Sequence, residues 1–221
     1  MENRILAFDT IRTLAIIFVV FIHTMEPINE VISSGNAYYS LVVTKACMNI
    51  IYTGVPLFVM LSGALLLGKE ENTKTFFSKR ISRVLMPFVV WSIIVYLLFE
   101  WQNGGDVSLI ALLWKFFFKF FTNGVYSVYW YIYMLLGLYL LTPVLRIYYQ
   151  HCSERMAYYL PIFFLVVYYI GTFLPAMNIF SRYMSTNMIY LFYFTAGYTV
   201  KKYLIHKCNF NLMAIGGVYI Y

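Results

Sequence analysis

Long apolar runs recur along this chain, and the short segments between them hold most of its charge. A helix that crosses a bilayer needs about 20 mostly apolar residues. Runs of that size lie at 8–26, 46–67, 84–101, 128–148, 157–176 and 187–204, and a seventh opens at 209. The pattern predicts an all-α, polytopic transmembrane helical bundle of about six complete spans plus the start of a seventh. Between the third and fourth runs lies LIALLWKFFFKFFTNG, residues 109–124. Lys115 and Lys119 are four apart there and share one helical face, so this segment is expected to lie in the interface rather than cross. No repeat and no linker interrupts the series, so residues 1–221 read as one integral membrane domain.

Composition sharpens this picture. Apolar residues make up 62% of the chain and charged residues 11%, where a soluble domain carries about a quarter charged residues. A net charge of +7 would by itself admit a nucleic-acid partner. The basic residues sit in clusters between apolar runs, however, which is how membrane proteins set their orientation. The expected partner is therefore the lipid bilayer and not nucleic acid. With a cytoplasmic N-terminus, eleven Lys and Arg fall on the inner side and only Lys45, Lys115, Lys119 and Arg182 on the outer side. Trp101, Trp114 and Trp130 then fall at the outer interface, where aromatic belts belong. Cys47, Cys152 and Cys208 have no metal-ligand spacing and read as small packing residues, so no metal site is expected. Glu26-Pro27 follows the first run where a cleavage site would need small residues, so that run is expected to stay in the protein.

The candidate chemistry begins in FDTIRTLAIIFVVFIHTM, residues 8–25. Arg12 and His23 are eleven residues apart, which on an α-helix is three turns plus about 20°, so both project from one face. The rise between them is about 16 Å, roughly half the hydrocarbon thickness. Asp9 stands three residues before Arg12 and can pair with it. A face carrying arginine is costly against lipid, so it is expected to look into the bundle or a wet cavity. The helix alone equally allows Arg12 and His23 to be boundary anchors.

Three further stretches carry candidates. In KRISRVLMPFVVW, residues 79–91, Arg80 and Arg83 are three apart and would share a face able to fork onto a phosphate, with Lys79 beside them. Alone they also fit a positive-inside cluster. In GVPLFVMLSGALLL, residues 54–67, Pro56 should kink the span, and Ser62-Gly63 would let another helix come close. In YWYIYMLLGLYLLTPVLR, residues 129–146, Trp130, Tyr131 and Tyr133 either line a cavity mouth or join the aromatic belt.

Together these pieces resemble the acyltransferase-3 family of integral membrane O-acyltransferases. The resemblance rests on the Arg-x10-His pair at Arg12 and His23, on Phe58 to Ser62-Gly63, on Arg80-x-x-Arg83 followed by Pro87, and on Trp130-Tyr131 through Pro143. It covers essentially the whole chain and is nearest to the surface polysaccharide O-acetyltransferase-like branch. Members of the family have further spans, so the resemblance implies a chain incomplete at its C-terminal end.

The resemblance implies a multi-pass protein of the bacterial plasma membrane that moves an acyl group, acetyl above all, from cytoplasmic acyl-CoA to a hydroxyl of an extracytoplasmic sugar or envelope component. Acyl-CoA (acetyl-CoA) would be the donor substrate. Its phosphates would dock on Arg80, Arg83 and Lys79, and its arm would pass Arg12. His23 would act as general base or as covalent acyl carrier. Asp9, Ser62, Trp130 and Tyr131 would support the site. The alternative is a lipid or acyl transporter, or a non-catalytic membrane module of a racemase-type fusion, since polar groups inside a bundle serve those purposes as well.

Overall fold

The computed structural model describes residues 6–33, 38–102, 108–122, 124–173 and 180–204. Among these residues every regular element is helical and there is no strand. Nine α-helices run in chain order: α1 Leu6–Ser33, α2 Tyr38–Ile51, α3 Gly54–Leu66, α4 Thr73–Arg80, α5 Met86–Gln102, α6 Leu109–Phe121, α7 Trp130–His151, α8 Glu154–Phe173 and α9 Phe180–Thr199. Among the described residues, five stretches are long and apolar enough to cross a membrane: Ala7–Met25, Val42–Leu66, Thr73–Gln102, Ser127–His151 and Glu154–Phe173. They correspond to the first five predicted spans. The sixth, 187–204, is helical but is not among the five. Ser181, Arg182, Ser185, Thr186 and Asn187 make the first two turns of α9 polar in sequence. The run predicted to open at 209 lies outside the described residues.

The second span is two helices rather than one kinked helix. The α-helical pattern lapses at Tyr52-Thr53, where the Thr53 N–H turns back to the Ile50 carbonyl at 3.1 Å. Pro56 therefore stands in the first turn of α3, where a missing N–H costs nothing because those donors have no partner within the helix. The third span begins earlier than the apolar run does. Asn72 caps α4 by accepting from the Lys74 N–H at 2.9 Å, and a π-helical turn, Ile81–Leu85, joins α4 to α5. In that turn the Met86 N–H reaches back to the Ile81 carbonyl. Pro87 follows at once, so the chain makes its wide turn where the regular ladder would lose a donor in any case.

The chain divides into two compact units, residues 1–68 with 149–221, and residues 69–148. In the first unit α3 packs against both α1 and α9, α2 packs on α1, and α8 packs on α9. The α3–α9 crossing is a contact of backbone on backbone. A methyl group on Gly63 would overlap the Phe194 carbonyl oxygen and stand 2.6 Å from its carbon, and one on Gly197 would do the same to the Met60 carbonyl. The expected close approach at Ser62-Gly63 is thus present, made by the glycine. Ser62 itself is half-buried. A second lock closes this interface: the Lys201 ammonium donates to the Ala64 carbonyl at 3.1 Å and lies 5.3 Å from the Phe8 ring centre. Hydroxyls tie the far side, where the buried Tyr149 hydroxyl lies 3.2 Å from Thr199 Oγ1. Such bonds hold helices together in a solvent that offers no competing donors.

The second unit is built on aromatic rings. Phe88 of α5 is buried, with its ring centre 5.2 Å from Phe120 of α6 and 5.1 Å from Tyr133 of α7. The Tyr133 hydroxyl donates to the Phe120 carbonyl, and the Tyr96 hydroxyl donates to the Leu112 carbonyl at 3.2 Å. So α6 is held to its neighbours by Leu112, Phe116 and Phe120, one stripe at four-residue spacing. Its opposite face, Ile110, Trp114, Phe117 and Phe121, is exposed. Thirteen residues are too few to span, and an exposed apolar face with two lysines fits a helix lying in the interface.

Candidate active site

The first helix carries the leading candidates. Ala15 and Ile22 of α1 are buried, which marks the stripe that packs against the neighbouring helices. Arg12 and His23 lie together on a second stripe, at the margin of that seam, and both are exposed, so the expectation that this face looks into the bundle is not met among the described residues. The shared face predicted from their spacing follows directly from α1 being one unbroken helix. The predicted pairing is also present, since Arg12 Nη1 donates to Asp9 Oδ1 at 2.8 Å. The pair stands at the start of the helix, where a carboxylate also meets the positive end of the helix dipole. His23 makes no hydrogen bond or ion pair with any described residue, so its imidazole is available to an incoming group.

Lys79, Arg80 and Arg83 belong to the second unit and fare differently from one another. Lys79 donates to Glu71 Oε2 at 2.9 Å. Glu71 Oε1 receives Arg146 Nη2 at 3.4 Å. Arg80 lies against two rings that meet edge to face, its guanidinium carbon 5.1 Å from the Phe76 centre and 5.4 Å from the Tyr139 centre. Arg146 lies 4.6 Å from the same Phe76 ring, so Phe76, itself fully buried, has two guanidinium groups near its ring. Arg80 Nε is buried and has no hydrogen-bond partner among the described residues. Arg83 is exposed. The π-helical turn Ile81–Leu85 begins between the two arginines, so the three-residue α-helical spacing that would set both on one face does not hold across it.

The Glu71 carboxylate is engaged by two cations, Lys79 and Arg146. Glu71 sits between α3 and α4, outside the spans. Its hydrogen bond from Lys79 holds its carboxyl below the usual value of 4.5, against the opposing effect of burial. A carboxyl with a lowered pKa adds stability that is complete above the ordinary value and is lost as pH falls through the lowered one. The second unit is therefore expected to lose thermal stability as pH drops below 4.5, and Glu71→Gln should be less stable at neutral pH and show a flatter acid limb. Thermal unfolding in detergent between pH 3 and 7 measures both.

Trp130 and Tyr131 open α7 with ring centres 6.2 Å apart and crossed at 89°. Trp101 and Trp114 are exposed, Trp130 less so. Chain order places the end of α5, α6 and the start of α7 at one end of the second unit, as an aromatic belt requires.

Sequence reasoning did not find Glu71, Phe76, Tyr139 or the role of Arg146. Nothing in KEEN distinguishes Glu71 from Glu70, and Arg146 was counted only as one more inner cation. The one signal available was that Arg146 follows an apolar run with Pro143 inside it, which continues the α7 helix far enough to bring the arginine into a packed position.

One comparison with known proteins identifies the chain. A family model described as an acyltransferase domain matches residues 5–220, through both units. No curated protein and no solved structure matches the chain.

Proposed function

The chain belongs to the acyltransferase-3 family and is a multi-pass membrane acyltransferase, and on that premise we propose that it carries an acyl group, acetyl above all, from cytoplasmic acyl-coenzyme A to a hydroxyl of an extracytoplasmic glycan or envelope component. The branch we infer is that of the surface polysaccharide O-acetyltransferase-like proteins, and the location is the plasma membrane of a bacterium. The observation that carries the donor assignment is Arg80, a cation held against two rings with no ion pair among the described residues. Coenzyme A is a polyanion, and guanidinium groups bind phosphate with directed, charge-assisted hydrogen bonds. Arg80 and Arg83 each take phosphate oxygens, and Lys79 adds positive field while held by Glu71.

The transfer step is proposed as follows. The acceptor oxygen attacks the thioester carbonyl carbon while His23 removes the hydroxyl proton. The tetrahedral intermediate then expels the coenzyme A thiolate, which takes up the proton held by His23. An ester bond has formed, a thioester bond has broken, and the histidine is restored. In the covalent variant His23 itself attacks the thioester and hands the acyl group on. Arg12 serves the polyanionic carrier as a positive group on the same stripe.

The test is transfer of label from acetyl-coenzyme A to glycan by membranes that contain the protein, with membranes lacking it as reference. Label in base-labile ester linkage supports the reading. Retention of label in coenzyme A, with no ester product from any hydroxyl acceptor, overturns it. Replacing Arg80 and Arg83 with alanine is expected to raise KM for acyl-coenzyme A more than tenfold, from about 1.5–3 kcal/mol per charge-assisted bond. KM for the acceptor should stay unchanged.

A further inference from the structure

The interfacial helix α6 has a groove at its polar edge. Glu100 at the end of α5 and Trp114, Lys115, Phe118 and Lys119 of α6 line a cavity of about 360 Å³. The two lysines are not equivalent. Lys119 donates to Glu100 Oε1 at 3.2 Å, and its ammonium lies 5.2 Å from the Tyr96 ring centre, so it is satisfied by its own unit. Lys115 is exposed and has no ion pair with any described residue. The groove therefore carries one net positive charge, placed at Lys115, between Trp114 and Phe118, which are 72% and 65% exposed.

We propose that this groove binds the phosphate of an anionic phospholipid. The chemistry of the lining selects the occupant. Trp114 and Phe118 lie beside the acyl chains, while Lys115 meets the phosphate at headgroup depth. The Glu100–Lys119 pair offers a carboxylate and an ammonium to headgroup hydroxyls. A zwitterionic choline head fits poorly, because its quaternary ammonium would sit beside the Lys115 ammonium of like charge. The groove lies wholly within α5 and α6, so the inference does not depend on the acyltransferase chemistry.

The test uses the intact protein purified in a neutral detergent and equilibrated with equal amounts of phosphatidylglycerol and phosphatidylcholine. Lipid retained after washing is measured by mass spectrometry per mole of protein. Phosphatidylglycerol should be retained in excess. Lys115→Ala should lower its retention about fivefold, the factor that corresponds to about 1 kcal/mol for one cation at an anionic surface. Lys115→Arg should preserve it, and Lys45→Ala, which removes an exposed cation from α2, should leave it unchanged. The protein peak on gel filtration should not move, since Lys115 is exposed. Equal retention by native protein and Lys115→Ala overturns the proposal, as does equal retention of the two lipids by the native protein. An equal loss with Lys45→Ala overturns it too, because net charge alone would then explain the binding.

Discussion

Gly63→Val yields no well-folded protein. The expected cost exceeds the about 1–3 kcal/mol of an ordinary overpacked side chain, because the obstacle is not a side chain. A branched group at this position meets the Phe194 carbonyl of α9, and a backbone carbonyl cannot rotate away as a rotamer can. The two helices must separate along their whole crossing. That separation also pulls Lys201 from the Ala64 carbonyl and exposes apolar residues of the two helices that are now buried, Val59, Ala64 and Phe194. Gly197→Val should be equally damaging, since it strikes Met60 from the opposite side. Gly137→Ala is the matched control. Its added methyl meets nothing within 4 Å, and alanine is the better helix former by about 1 kcal/mol, so this variant should be as stable as the native protein or slightly more so. Monodisperse yield in detergent and thermal melting measure all three. If Gly63→Val melts within a few degrees of the native protein, the close crossing of α3 and α9 does not exist.

His23→Gln is expected to lower acyl transfer by about a hundredfold or more, the scale of a lost general base. Glutamine keeps a polar side chain of similar reach but accepts no proton near neutral pH. Because His23 is exposed and makes no bond to a described residue, its replacement should change stability by less than about 0.5 kcal/mol. A variant that folds, binds acyl-coenzyme A and fails to transfer would locate the defect in the chemical step. Transfer at the native rate would remove His23 from the mechanism while leaving the family membership intact. The same assay separates the two mechanistic variants: a covalent carrier leaves label on the native protein when acceptor is withheld, and a general base does not.

How far these features were legible beforehand depended on their range in the chain. The membrane runs follow from apolar length, and five of them fall where helical stretches of spanning length are found among the described residues. The stripe shared by Arg12 and His23 needed only helical periodicity over eleven residues. The lapse at Tyr52-Thr53 was hidden because periodicity does not register a turn inside a continuous apolar run, and proline was assigned a kink that its place in the first turn of α3 avoids. The backward extension to Thr73 was hidden because TKTFFSKR reads as polar although Phe76 is fully buried. The Glu71–Arg146 contact joins residues 75 positions apart, and no local pattern anticipates it. Three-residue spacing makes Arg80 and Arg83 neighbours on an α-helix, and the π-helical turn that begins between them changes that relation.

That turn also sets a rule for how the segment tolerates change in length. A π-helical turn behaves as a single surplus residue lodged in an otherwise regular rod. Deleting Val84 removes that surplus residue, so α4 and α5 should run on as one α-helix with Arg80 still facing Tyr139. Deleting one residue from the regular part of α5 would instead turn everything upstream by about 100° against the downstream half and take Arg80 away from the Tyr139 ring. The segment Ile81–Leu85 is therefore the place in this span where a loss of one residue is best absorbed.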